Sequence, residues 1–228
     1  MTPVALITGT SRGVGRATAL RLAEDGFRLA LVGRPSAAQE ETERLLVHLG
    51  AQFVHVPCDL AQPAEVPEAA RLVLDRVGPP DVVVHNAGIV ERAAITELDD
   101  ASWDRQLEVN LSAPFRLTRA LLPAMLARGS GRILFVSSIA AHLGSLRQAA
   151  YNASKAGLVA LMRCLAEELK DTNLSTLALL PGAIDTDMLE GSPYPARMTA
   201  AEVAETLAFY AQAPGRGHHG SVVDMLGV

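Results

Sequence analysis

Seven short apolar runs alternate along this chain with longer segments rich in Ala, Leu, Glu and Arg. They fall at residues 4–8, 28–32, 52–56, 81–85, 132–137, 175–180 and 221–225. Most are continuous apolar stretches rather than strict alternations, which suits strands covered on both faces. A strand–helix–strand rhythm sustained from end to end predicts an α/β fold: a doubly wound, Rossmann-type domain with about seven parallel strands and helices on both faces. No linker interrupts the pattern, so residues 1–228 read as one dinucleotide-binding and catalytic domain.

Bulk properties remove several function classes. The net charge is −5 and there is no basic run, so no nucleic-acid partner is expected. No apolar stretch approaches the ~20 residues of a membrane span, and MTPVALITG lacks the charged segment of a secretory leader. The expected location is the cytoplasm. Cys58 and Cys164 belong to no metal-ligand pattern and read as buried thiols of a reducing compartment. His218 and His219 read as part of a turn, and no metal site is expected.

The first strand runs straight into TGTSRGVG, where Gly9, Gly13 and Gly15 are spaced G-x-x-x-G-x-G. Such a loop turns tightly and approaches a pyrophosphate closely, and the helix after it presents free N–H groups to the anion. The end of the second strand tests which dinucleotide fits. An NAD site usually holds an acid there, whereas this chain has Gly33 and Arg34, with Arg12 inside the glycine loop. Two guanidinium groups suit a 2′-phosphate, so NADP(H) is favoured over NAD(H). A solvated loop residue is the plainer reading of Arg34.

Further candidates fall at carboxyl ends of strands, where open α/β sheets bind ligands. Asp59 follows the third strand and offers either a bond to adenine or a helix N-cap. Asn86-Ala87-Gly88 follows the fourth. The helical segment 99–128 contains Pro114, which denies a hydrogen bond to the Asn110 carbonyl and predicts a kink. The freed acceptor suits a water in a proton relay to Lys155. Ser137 and Ser138 close the fifth strand; chemistry alone does not say which would polarise a carbonyl. Tyr151 and Lys155 stand four apart on one helical face. An ammonium beside a phenol favours the phenolate, poising it for general acid/base work. Alone, the pair also fits a surface polar contact. After the sixth strand comes PGAIDT, where Thr186 offers a hydroxyl to a carboxamide or phosphate. Residues 187–198, with Gly191, Pro193 and Pro195, read as a substrate lid.

Taken together, TGTSRGVG, HNAG (residues 85–88), VNLSAPF with Asn110, Ser138, YNASK (residues 151–155) and PGAIDT (residues 181–186) resemble the short-chain dehydrogenase/reductase family, above all bacterial 3-oxoacyl-[acyl-carrier-protein] reductases and their paralogues. The resemblance covers nearly the whole chain. It implies an oxidoreductase that reduces a carbonyl with NADPH. Tyr151 would be the general acid/base, Lys155 its ribose-binding partner, Ser138 the carbonyl orienter and Asn110 the relay residue. It implies a cofactor site built from Gly9, Ser11, Arg12, Gly13, Val14, Gly15, Arg34, Asp59, Leu60, Asn86, Ala87, Gly88, Tyr151, Lys155, Pro181, Gly182, Ile184 and Thr186. It further implies a small-molecule carbonyl or alcohol substrate and a homotetramer or homodimer. The small residues Ala153, Ala156, Gly157 and Ala160 would permit close helix packing, between subunits or within one. Thr10, His85, the ending SVVDMLGV and the short segment after Thr186 depart from the family pattern. They leave open a dehydrogenase or reductase of another carbonyl or alcohol, such as a sugar, steroid, pterin or quinone. A non-catalytic NADP(H) sensor is a minor alternative.

Overall fold

In the computed structural model, which describes residues 2–227, the seven apolar runs form β1 (Val4–Thr8), β2 (Arg28–Gly33), β3 (Phe53–Pro57), β4 (Val82–His85), β5 (Gly131–Val136), β6 (Leu174–Pro181) and β9 (Ser221–Met225). Between β6 and β9 lie two two-residue strands, β7 (Ile184–Asp185) and β8 (Met198–Thr199), not foreseen from sequence. The seven long strands make one parallel sheet in the order β3-β2-β1-β4-β5-β6-β9. The period of two along each strand divides the core. Ala5 and Ile7 of β1 and Leu29 and Leu31 of β2 face one layer; Leu6, Ala30 and Val32 face the other.

The first layer is covered by α1 (Gly13–Glu24), α2 (Ala37–His48) and α7 (Ala200–Gln212), through Leu22, Leu46, Val203 and Leu207. The second is covered by α3 (Glu65–Val77), α5 (Ala113–Arg128) and α6 (Ala149–Leu169), through Val73, Leu117, Leu121, Leu158 and Met162. Thr199 and Glu202 start α7 with a reciprocal capping box.

The expected kink before Pro114 takes a definite form. The chain passes from α4 (Asp100–Leu107) through a π-helical turn, Glu108–Ser112, into α5. Asn110 sits in that wide turn, a feature often found at functional sites. One expectation fails: Cys58 is buried, but Cys164 is exposed on α6. The helical face it occupies looks outward, and a run of neighbouring apolar residues does not show which face that is. His218 and His219 do lie in a turn, where His219 accepts from the Thr176 amide and donates to the Ala166 carbonyl. Among the described residues, no helix is long and apolar enough to cross a membrane, and no group of side chains is arranged to hold a metal.

Candidate active site

The strand order reverses between β1 and β4, and the glycine loop and the Asn86–Gly88 segment meet at that point. Two residues bind them together. The Asn86 side chain donates to the carbonyls of Thr8 (3.0 Å) and Gly9 (3.1 Å). The Thr8 hydroxyl accepts the amides of Asn86 and Ala87, both at 3.0 Å. The approach tolerates no side chain. A Cβ on Gly9, whose φ is +71°, would lie 2.9 Å from Ala87 Cα, and one on Gly15 would lie 2.1 Å from the Gly9 oxygen. Thr10 is explained here: its buried hydroxyl donates to Gln39 Oε1 at 2.9 Å, fixing the loop to α2.

This cradle fits a dinucleotide pyrophosphate. Arg12 occupies the N-cap of α1 without capping it, so the first amides of that helix keep no side-chain acceptor of their own. The Arg12 guanidinium instead pairs with Asp187 across the cleft at 2.8 Å, with both groups well exposed. Arg34 is exposed just beyond β2. Asp59 Oδ1 accepts the Ala61 amide, a local turn bond that occupies one of its oxygens. Leu60 is buried beside it. Pro181 ends β6, and the Gly182 amide bonds Met225 of β9. Ile184 opens β7, and Thr186 follows with its methyl against the glycine loop, 3.3 Å from where a Gly13 Cβ would stand.

At the carboxyl edge of β5, the two serines separate. Ser137 is buried and donates to the Lys155 carbonyl at 2.9 Å, so it is a packing residue. Ser138 caps a short turn through the Ala140 amide (3.2 Å) and reaches Tyr151. Tyr151 and Lys155 share the inner face of α6 as the i, i+4 spacing predicts, with Lys155 Nζ 5.7 Å from the tyrosine ring centroid. Lys155 is buried, donates to the Val136 carbonyl at 2.9 Å, and burial pushes its pKa down to about 8. Burial also raises the Tyr151 pKa; Ser138 and the charge of Arg92 pull it back down. The expected lowering of the tyrosine pKa by Lys155 is therefore not what the protein displays: burial dominates, and the opposing influences come from Ser138 and Arg92. Asn110 is fully buried. Its amide donates to the Ile89 carbonyl (2.9 Å) and to Ser154 Oγ (3.0 Å), while its oxygen accepts the Ile89 amide at 2.8 Å. Ser154 in turn donates to the Tyr151 carbonyl. Asn110 thus joins the irregular segment following β4 to the helix that carries Tyr151.

Three contributors escaped the sequence reading. Thr8 and Ser154 act through hydroxyls that no spacing rule marks. Arg92 stands in a loop, four residues past Gly88, with nothing in its neighbours to single it out.

Comparison with known proteins agrees with this architecture. A family model described as short chain dehydrogenase matches residues 3–194. The 3-oxoacyl-[acyl-carrier-protein] reductase of a Synechocystis strain is 35% identical over 188 residues, covering 82% of this chain and 76% of that one. Among solved structures, actinorhodin polyketide ketoreductase with NADPH superposes with a TM-score of 0.92 at 29% identity, and levodione reductase with 0.91 at 28%. Each covers 99% of this chain and 96% of the other.

Proposed function

The chain belongs to the short-chain dehydrogenase family and is a nicotinamide-dependent oxidoreductase; from that premise we propose that it reduces a carbonyl to an alcohol with NADPH, the carbonyl of a 3-oxoacyl thioester being the leading substrate. The observation that carries the reading is the meeting of Tyr151, Ser138 and Lys155 at the carboxyl edge of β5, beside the glycine cradle.

When bound, NADPH supplies the hydride. The chain's own groups supply the rest. Ser138 donates to the substrate oxygen and sets its distance from Tyr151. Tyr151 gives up the proton as charge develops on that oxygen. A phenol raised by burial is a reluctant acid. The nearby ammonium of Lys155, held at the Val136 carbonyl, favours the phenolate and lowers the cost of that transfer. The same lysine would hold ribose hydroxyls. Asn110 would pass the replacement proton through a water on its carbonyl in the π-turn. The glycine loop with Ser11, Val14, Asn86, Ala87 and Gly88 would hold the pyrophosphate and ribose. Pro181, Gly182, Ile184 and Thr186 would hold the carboxamide end, Asp59 and Leu60 the adenine, and Arg12 and Arg34 the 2′-phosphate. Residues 187–198 serve as a lid whose two ends are clasped by the β7–β8 pair. The likeness to the Synechocystis reductase and to a ketoreductase with NADPH supports the thioester and the cofactor.

A reductase of another carbonyl is the second reading, favoured by an equal structural likeness to levodione reductase. The assembly is proposed as a homotetramer or homodimer. Ala153, Ala156 and Ala160 are exposed along α6, whereas Gly157 is used within the subunit, since its Cβ would lie 2.8 Å from Leu111.

The decisive assay follows loss of reduced-nicotinamide absorbance with an acetoacetyl thioester, using NADPH and NADH in parallel. Turnover is expected with NADPH, and Tyr151→Phe should lower kcat by roughly a hundredfold or more. A variant that retains full activity would remove Tyr151 from its role. Turnover of other ketones but not of the thioester would favour the second reading.

A further inference from the structure

Between the start of α6 and the segment after Thr186 lies a cavity of about 710 Å³ whose walls include Arg92, Leu146, Arg147, Glu190 and Pro193. The two arginines differ in their company. Arg147 is paired with Glu97 at 3.2 Å. Arg92 is half-buried and is paired with no carboxylate among the described residues. Two of its nitrogens donate to backbone carbonyls of the lid, Glu190 at 2.9 Å and Met188 at 3.0 Å. Its Nε is buried without a partner. Neutral acceptors leave the charge standing, and a half-buried guanidinium without a counter-ion is an expensive arrangement unless something anionic joins it.

The backbone secures this placement. Ala93 donates to the Arg147 carbonyl at 3.0 Å and forms an isolated parallel bridge with Gln148, the residue that begins the Tyr151 helix. Arg147 is the one non-glycine residue with positive φ among the described residues, at 58°. That conformation costs about 1 kcal/mol or more. It is held at the point where the Arg92 segment and α6 are joined. The bridge thus ties the Arg92 segment to the start of the helix that carries Tyr151, three residues before it, and the charge of Arg92 acts to lower the Tyr151 pKa.

We propose that Arg92 is a specificity-determining residue and that the preferred substrate carries an anionic group, a carboxylate or a phosphate, within a few bonds of the carbonyl. This rests on the carbonyl-reductase reading but not on its thioester form, since a simple 3-oxoacyl thioester carries no anion that close to its ketone. Glu190 lines the same cavity, and its exposed carboxylate would disfavour an anion placed further out, toward the lid.

The test uses ketones in matched pairs: oxo-acids with the carboxylate one, two or three carbons from the ketone, each against its amide. 2-Oxopropylphosphonate against its dimethyl ester extends the series to phosphorus. Binding to the NADP-saturated protein is measured by calorimetry, and turnover with NADPH separately. At least one anion should bind roughly tenfold to a hundredfold more tightly than its neutral partner, the range of a charge-assisted bond. That ratio should collapse in Arg92→Gln and survive in Arg92→Lys, which keeps the charge but not the paired bonds to the lid. The phosphorus and carbon series together say which anion is preferred. Ratios near one in the wild type, or ratios untouched by Arg92→Gln, overturn the proposal while leaving the reductase reading intact. Arg92-dependent binding of anions without turnover of any ketone would keep the anion site and overturn the reductase reading.

Discussion

His85 shows how one buried residue can record a departure from its family without touching chemistry. It lies at the end of β4, stacks on Phe135 with ring centroids 4.8 Å apart, and bonds Thr118 through Nε2 at 2.8 Å. Its Nδ1 is buried without a partner, and burial lowers its pKa to about 3. The unfolded imidazole titrates near 6.5, so between those values the unfolded chain binds the extra proton and the native state does not. The stability gained by keeping His85 neutral is present in full above pH 6.5 and is lost as pH falls toward 3. At pH 4.5 the loss amounts to about 3 kcal/mol. His85→Asn should flatten the decline between pH 6.5 and 4.5 in denaturant titrations, whatever it does to stability at pH 7. An unchanged slope would mean that other groups carry the acid sensitivity. Nothing in the sequence distinguishes this histidine from a ligand or a surface residue, because burial depends on which face of β4 meets α5. Tyr151 and Lys155, by contrast, were legible: a four-residue spacing on a helix survives folding unaltered. Which of Ser137 and Ser138 reaches Tyr151 was not legible from chemistry, since adjacent residues point to opposite sides and the register of β5 against α6 decides; only the family resemblance pointed to Ser138.

At the level of elements, the glycine loop, the π-turn and the segment after Thr186 show different degrees of legibility. The loop announces itself through residues that tolerate no Cβ. The π-turn was foreseeable as a break, because Pro114 denies a bond to the preceding turn, but not as a wide turn locking Asn110 to Ile89 and Ser154. The pairing of Arg12 with Asp187 was invisible, since 175 residues separate them. That pair bears on cofactor choice. If Arg12 serves a 2′-phosphate, Asp187 competes for it, and an exposed pair of this kind is worth ~1 kcal/mol or less. Arg12→Ala should weaken NADPH binding roughly tenfold while leaving NADH within a factor of about two. Asp187→Ala should tighten NADPH binding a few-fold by releasing Arg12. Fluorescence titration of the reduced cofactors measures both, and equal losses for NADPH and NADH in Arg12→Ala would assign the arginine to the shared pyrophosphate instead.

The whole molecule was the most legible scale, because a parallel sheet writes itself into sequence as repeated buried runs, and all seven long strands lie within two residues of where the pattern puts them. The additions, β7 and β8, are two residues each, too short for any periodicity to register. Their effect is on the molecule's working parts, since they hold both ends of residues 186–197, the segment that Arg12 reaches through Asp187 and Arg92 through Glu190. A cofactor lying in the cleft would touch β1, β4, β5 and the segment after β6 at once, and a ligand bound only by the native state stabilises all of it together. At a hundred times its dissociation constant, such a ligand adds about 2.7 kcal/mol. For a chain of this size, each kcal/mol moves the midpoint by roughly 2–4 °C, so saturating NADPH should raise Tm by about 5–10 °C. NADH at the same concentration, bound about tenfold more weakly, should give roughly half of that. Scans at two protein concentrations tenfold apart separate this effect from subunit association, which would make Tm rise with protein concentration in the absence of cofactor. Equal shifts from the two cofactors would remove the arginine argument for NADPH. No shift from either would leave the glycine cradle without the ligand its geometry fits.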